Sequence, residues 1–362
     1  MKKISIYLRN ANLTPSSYYR IFQYTDDLKM KYLLNINETI SNRLFIYYGQ
    51  SVGLKKYFFG IVYYIMSQSR LLINLLRDIF IFKPDIIFVS KSFAPRYTLF
   101  INQILIKYLL KNRALIWDFD DDIINSNEIN KFQKKLLLEK SKRIIVTHKY
   151  LKSVLPEEFY GKIIEIPTTD GSLDFNDSFE ILNDRMSIFE NEINITWLGT
   201  SYNLSNLYNI SEHLNIIGNK VSNKSINLYV ICDKPLNYKF TKINLVNIKW
   251  DRSVVKNIFK ITHIGLMPLE NNIYNSKKGG FKIIQYMSSS IPVVVSDVGV
   301  NIDIVGDNAG FVVDNDWLSP LEILCSDRNI WTEKSRGAYH QYISNYSYRE
   351  NFNKLLRIFG EM

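Results

Sequence analysis

Short runs of consecutive apolar residues alternate along this chain with longer stretches of helical period. Residues 4–8, 84–89, 114–119 and 143–147 are apolar runs of strand length bounded by turn residues. A strand buried on both faces needs such a run, because neither side of it meets water. Around these runs, 16–31, 97–111 and 126–140 have helical length and spacing, with Pro15 and Ser16 at the start of the first. A polar stretch, 168–192, then reads as the interdomain linker and its flanks. Beyond it the pattern resumes, with strands at 193–198, 226–232, 246–250, 263–267 and 292–296. Helices are expected at 204–221, 253–260 and 280–289, and an amphipathic one at 348–359. Strand and helix alternating in two rounds predict an α/β chain of two Rossmann-like, doubly wound domains facing a cleft, with ligands at the carboxyl ends of the strands. The expected bounds are 1–170 and 171–345, with a C-terminal helix at 346–362 packing back on the first domain.

Size and composition agree with that division. A chain of 362 residues is too long for one ordinary domain, and 46% hydrophobic residues exclude a disordered chain. Two cysteines, Cys232 and Cys325, cannot build a disulfide framework, and the four histidines show no zinc spacing. Charge is unevenly placed. Residues 1–170 carry 26 Lys and Arg against 15 Asp and Glu, whereas the remainder carry 19 against 20. Such asymmetry suits either a polyanion or anionic membrane near the first half, or a solvated surface with no partner.

Met1-Lys2-Lys3 is followed by an apolar stretch that stops at Leu8, too short for a secretory leader, so a cytoplasmic location is expected. The most apolar region, 57–82, is interrupted by Arg70 and Arg77 and falls short of a bilayer span. Lys56, Tyr63, Arg70 and Arg77 recur every seven residues and would line one side of a helix. That stripe fits a helix at a membrane interface, and equally one packed on a sheet with a wet edge.

Two segments carry candidate chemistry. In the first, an apolar strand runs through Trp197 and Leu198 into Gly199, Thr200 and Ser201 and then a helix. Glycine lets the backbone approach a phosphate, and a helix start offers amides to it. In the second, Gly265 to Glu270 form a strand ending in Pro268. A loop then leads to Ser276-Lys277-Lys278-Gly279-Gly280-Phe281-Lys282, the start of a helix containing Gln285, and to a buried strand reaching Ser296. Lysines at a helix start would hold a diphosphate and offset the charge of a leaving group. Lys278 and Lys282, four apart, are expected on one helix face with Gln285 two turns on from Lys278.

These blocks resemble the carboxyl-terminal donor domain of GT-B glycosyltransferases of the family 4 type, closest to those of bacterial capsule, exopolysaccharide or O-antigen (lipopolysaccharide) assembly. Pro15 to Arg20 and the run Trp117-Asp118-Phe119-Asp120-Asp121-Asp122 look like the first loop and an acidic strand end of that group. The resemblance implies a transferase that takes a nucleotide-diphosphate sugar and delivers the sugar to a lipid-linked saccharide, with retention and without a metal. It would be peripheral at the inner face of the membrane, and a partner glycosyltransferase fits the same picture. In the family two glutamates eight apart contact the sugar and the ribose. Their places are taken here by Lys277 and Gln285, and Gln285 can still bond ribose hydroxyls. Lys278, Gly280 and Lys282 fit a basic variant of the motif. Thr200 and Ser201 stand where relatives carry an Arg and a Lys, so neutralisation of the diphosphate is assigned to Lys278 and Lys282. Gly199, Thr200, Ser201, Lys277, Gly280, Phe281 and Gln285 complete the expected donor site.

For the acidic run, three uses are open: metal binding through phosphate ligands, capping, or an acceptor-side role in which Asp120 or Asp121 orients the incoming hydroxyl or takes its proton. Arg20 would face the cleft and meet a phosphate, or lie at the surface. His148 and His263 read as ordinary interior or edge histidines. Rival readings are a non-catalytic GT-B partner, kept open by Lys277, and a nucleotide-sugar epimerase, which would need carboxylates where the motif is basic. Nucleic-acid binding has no motif to accompany the charge.

Overall fold

The computed structural model describes residues 1–94, 96–173 and 178–362. They form two compact units: Met1–Thr168 with Phe352–Met362, and Thr169–Asn351. Each holds a six-stranded, wholly parallel sheet with helices on its faces. Residues 174–177 of the expected linker lie outside the described residues.

In unit 1 the strands are β1 (Lys3–Leu8), β2 (Leu33–Glu38), β3 (Ile86–Ser90), β4 (Ala114–Asp118), β5 (Ser141–Val146) and β6 (Ile163–Glu165), in the order β2-β1-β3-β4-β5-β6. The central β3 and β4 are buried throughout, as their unbroken apolar runs require. β2 escapes a reading by hydrophobic pattern because Asn35 and Asn37 interrupt it. Both face a polar cluster built on the buried Asp78, which accepts hydrogen bonds from Asn35 at 2.7 Å, Asn37 at 3.2 Å, the Tyr7 hydroxyl at 2.6 Å and Ser5. A buried carboxylate is tolerated only with such a set of donors.

The single helix expected at 16–31 is broken into Pro15–Arg20, a 3-10 turn at Phe22–Tyr24, and Thr25–Lys29. Side chains there bond nearby carbonyls: Gln23 to Tyr19 at 2.5 Å and Thr25 to Phe22 at 2.8 Å. Such bonds offer the backbone alternatives to a continued helix. The helix Tyr348–Gly360 enters unit 1 at its carboxyl end. Phe352 stacks on Tyr24, and Phe359 packs against Tyr32 and Phe88.

Unit 2 contains β7 (Glu192–Leu198), β8 (Ser225–Cys232), β9 (Ile243–Lys249), β10 (Ile264–Met267), β11 (Val293–Ser296) and β12 (Gly310–Val313), in the order β12-β11-β10-β7-β8-β9. The chain proceeds outward from β7 to β9, then returns to place β10 on the other side of β7. The carboxyl ends of β7 and β10 therefore flank a topological switch point, where open α/β sheets bind ligands.

Part of the expected linker is helical, Ser178–Ile188. Its Arg185 is fully buried and donates to the carbonyls of Phe259, Lys260, Ser289 and Ser290 at 2.6 to 3.1 Å. These close the ends of two other helices, whose last carbonyls have no partner within the helix. Burial lowers the Arg185 pKa to about 9. The expected helix 204–221 breaks at Ile210 into Leu204–Asn209 and Ser211–Lys220. β12 and the helices Leu318–Ser326 and Arg328–Asn345 complete the unit beyond the pattern read from sequence. Among the described residues, no helix is long and apolar enough to cross a membrane.

Candidate functional site

At the switch point of unit 2, β7 ends in Gly199, and a short 3-10 turn (Ser201–Asn203) leads to the Leu204–Asn209 helix. The Gly199 side is closed by the chain's own Trp197: a Cβ there would lie 2.3 Å from the indole. Glycine at 199 is thus required by packing. The Ser201 amide and hydroxyl both bond Asp233, at 2.6 and 2.7 Å. Slight burial works against the Asp233 charge, but the Ser201 bonds outweigh it and hold the carboxyl below its ordinary pKa. Ser201 therefore orders this loop against the end of β8. Thr200 accepts from Asn203 at 3.0 Å.

The basic segment faces the same loop. After β10, Leu269 and Glu270 are pinned through their amides to Ser296 and Asn206, at 2.8 and 2.9 Å. A single helical turn, Ile273–Ser276, ends at Lys277. Gly280 is left-handed (φ 62°), and the helix Phe281–Ser288 starts immediately after it without a side-chain cap. Lys278 consequently lies before the helix, and the expected shared helix face with Lys282 does not form. Of the two amines, Lys278 is the one bonded to the 199–203 loop. Lys278 Nζ bonds Asn203 Oδ1 at 2.6 Å and sits over the Tyr274 ring at 5.2 Å. Lys282 lies beside Cys232, next to Asp233, and burial lowers its pKa.

Lys277 is half-buried in the turn between the two helices. Phe281 opens the longer of them. Gln285 is buried and donates to Asp170 at 3.0 Å, so the ribose contact expected of it competes with an internal partner. A cavity of about 260 Å³ lies along the same carboxyl edge, lined by Glu270, Asp297 and Asp314 among others. Three carboxylates make it a poor receptacle for a diphosphate; the lysine side is the suitable one.

In unit 1 a second cluster forms at the carboxyl ends of β3 and β4. Arg20 is buried and forks onto Asp118, with Nε 3.1 Å and Nη2 2.5 Å from Oδ1. Its remaining nitrogen donates to the Ile166 carbonyl and to Thr168. The guanidinium expected to meet a phosphate is thus occupied inside the unit. Burial opposes its charge, but Asp118 outweighs that and raises its pKa.

Lys91, one residue past β3, was not among the expected site residues. Its Nζ is 3.0 Å from Asp120 and 2.6 Å from Asp121. Its backbone is left-handed (φ 62°) and fixed at both ends, with N–H to the Asp118 carbonyl and C=O accepting from the Trp117 indole. The available signal was positional: a lone lysine directly after a buried strand, at the end where ligands bind.

Burial alone would raise the Asp120 pKa; Lys91, with a hydrogen bond from Ser16, holds it below the ordinary value. The Asp120 charge in turn pushes Asp121 up. Asp121 is the exposed member and the better proton acceptor of the two. Asp122 caps a local turn by accepting from the Asn125 amide at 3.0 Å.

Both histidines are structural. His148 caps the Lys149–Lys152 turn. His263 is buried, accepts from the Asn194 amide and faces the Arg185 carbonyl, and burial lowers its pKa to about 3.

No protein-family model matches the chain, and no curated protein is similar to it in sequence. Solved structures are similar over its whole length. Sucrose-phosphate synthase of Thermosynechococcus elongatus is similar at TM-score 0.62 and 10% identity, covering 100% of this chain and 99% of its own. A glycosyltransferase of Rickettsia africae matches at 0.60 and 14%, covering 99% and 98%. Anabaena HepE, solved with UDP-glucose, matches at 0.57 and 9%, covering 100% of both chains. With two parallel six-stranded sheets and their flanking helices, the chain has the GT-B fold of two Rossmann-like domains.

Proposed function

We propose that this protein is a glycosyltransferase of the family 4 type that uses a nucleotide-diphosphate sugar. The observation that carries the reading is Lys278 bonded to the 199–203 loop at the switch point of unit 2, with Lys282 on the helix that follows, near Cys232 at the end of β8. Two ammonium groups beside an uncapped helix start suit a diphosphate. The whole-chain likeness to glycosyltransferases, one holding UDP-glucose, supports the same assignment.

In the reaction, the bond between the sugar's anomeric carbon and the diphosphate oxygen breaks, and a bond to an acceptor hydroxyl oxygen forms. Lys278 and Lys282 stabilise the negative charge that grows on the departing diphosphate, the kind of electrostatic help that contributes most to catalysis. Cationic charge from lysines leaves the step without need of a metal. Asp121 orients the acceptor hydroxyl and receives its proton, while Lys91 sets the charge state of the Asp120–Asp121 pair. Retention of the anomeric configuration, a lipid-linked saccharide acceptor and a place in surface-polysaccharide assembly at the inner face of the membrane complete the proposal. The basic unit 1 supports that location.

The test is a thermal-shift panel of UDP-, GDP- and other nucleotide sugars, because a ligand that prefers the native state must raise its stability. A shift with one nucleotide, lost in Lys278→Ala, is the expected result; no shift with any of them rejects the donor site. A non-catalytic member of the same fold is the second reading, favoured by the engagement of Gln285 with Asp170. Sugar transfer by the purified chain alone would end it.

A further inference from the structure

The helix Gly53–Arg77 presents to water the side that an amphipathic helix ordinarily buries. Its inward side is Ser67, Gln68, Leu71 and Leu75. On the sides turned to water stand Leu54, Phe58, Ile61, Ile65, Met66 and Ile73, with Leu54 90% exposed. The expected basic stripe runs along a flank of this apolar face, and Arg77 turns inward to Asn37 at 2.6 Å. The helix Phe100–Leu109 packs beside it and exposes Phe100 (75%), Ile101 and Ile104. The two helices are locked together by Gln68, whose amide bonds the Tyr97 carbonyl, the Leu99 amide and Asn102 at 2.8 to 3.0 Å. The helix Asn42–Gln50, packed on the first, adds Ile46 and Tyr47. Together these make an apolar surface far larger than the scattered residues that an unpartnered protein leaves in water.

Charge identifies the occupant. Residues 39–77 contain Arg43, Lys55, Lys56, Arg70 and Arg77 and no acidic residue. Residues 97–112 contain Lys107 and Lys111 and again none. A two-fold contact with a second copy would set this surface against itself, cation facing cation, with no carboxylate to offset them. An anionic lipid surface offers hydrocarbon to the apolar side chains and negative headgroups to the cations around them.

We infer that the faces of these three helices insert together into the interfacial layer of an anionic membrane, holding unit 1 at the bilayer surface by apolar burial first and by charge second. This deepens the proposed membrane location and rests on it, but it does not depend on the donor chemistry.

The experiment is flotation of the full-length protein with vesicles of phosphatidylcholine alone and of phosphatidylcholine with roughly one third phosphatidylglycerol, a fraction chosen to give a strongly anionic surface. Expected are binding to the anionic vesicles that largely survives high salt, and weaker but measurable binding to neutral ones. Phe58→Glu with Ile61→Glu should cut the affinity at least about tenfold, since two inserted side chains are lost. Lys55→Gln with Lys56→Gln should reduce it less, and mainly at low salt. An unchanged melting midpoint and an unchanged shift by nucleotide sugar show that the variants are folded and keep the donor site. Absence of vesicle binding overturns the inference. So does a concentration-dependent dimer in light scattering that the glutamate variant dissolves, which would make a second copy the occupant. Neither result touches the donor assignment.

Discussion

Lys278 Nζ donates to Asn203 Oδ1 at 2.6 Å, tying the turn before the Phe281–Ser288 helix to the loop after β7. The contact joins the two strand ends that flank the switch point of unit 2, and it parks a cation there on a neutral amide. A neutral amide does not cancel the ammonium's charge as a carboxylate in its place would.

Lys278→Ala should therefore lower kcat/KM for sugar transfer by about 10²- to 10³-fold, the usual cost of removing one stabiliser of a developing anion. Asn203→Ala, which removes this bond but keeps the lysine's charge, should cost about tenfold or less. Steady-state kinetics with both variants checks this. Equal losses would mean that the bond, and not the charge, carries the function.

The acidic pair of unit 1 predicts a pH dependence. Asp121 is pushed up by its neighbour Asp120, so the acid limb of the kcat/KM profile should lie above the ordinary aspartate value of about 3.9. Asp121→Asn should remove that limb and lower turnover by about 10²-fold. Lys91→Met removes the cation from both carboxylates and should move the limb to still higher pH. For stability the carboxyl that matters is Asp120. Asp120 is depressed in the folded chain, so its contribution is present above the unfolded pKa and is lost as the pH falls through the depressed value. Acid unfolding of Lys91→Met should accordingly begin at a higher pH than that of the parent.

The expected strand runs could be read because buried parallel strands are unbroken apolar segments, and 84–89, 114–119 and 193–198 each correspond to one. β2 could not be read so, since its asparagines face Asp78, a partner more than forty residues away. Arg185 shows the same limit: in sequence it is one charge in a polar stretch, and only the packed unit reveals four carbonyls waiting for it. At the site, residue types were legible and their partners were not. Lys278 and Lys282 suggested a common helix face until the left-handed Gly280 separated them. Arg20 suggested a ligand contact because Asp118, 98 positions away, gives no local sign of being its partner.

The Arg20–Asp118 pair predicts a stability effect distinct from any effect on binding. Both side chains are buried, and removing one leaves the other an uncompensated charge. Arg20→Met should destabilise unit 1 by about 3–5 kcal/mol. Arg20→Lys should recover only part of this, because an ammonium cannot reproduce the forked contact. Chemical denaturation followed by fluorescence measures both. A parental midpoint for Arg20→Met would return Arg20 to the role of a surface or ligand-binding group.

Gly280 separates backbone from packing requirements at the donor site. Its φ of 62° costs an alanine about 1–2 kcal/mol, and a Cβ would lie 2.1 Å from Ile304 Cδ1. Overpacking of that kind costs a further ~1–3 kcal/mol. Gly280→Ala should thus destabilise unit 2 by about 2–5 kcal/mol. Ile304→Val deletes the offending methyl, so in Gly280→Ala it should return the packing part and leave the backbone part. A double-mutant cycle in denaturant isolates the coupling, which should be favourable by about 1–2 kcal/mol. If the two substitutions are instead additive, the left-handed turn has moved to make room. Lys278, two residues before it, would move with that turn, and transfer should then fall in the double variant despite its recovered stability.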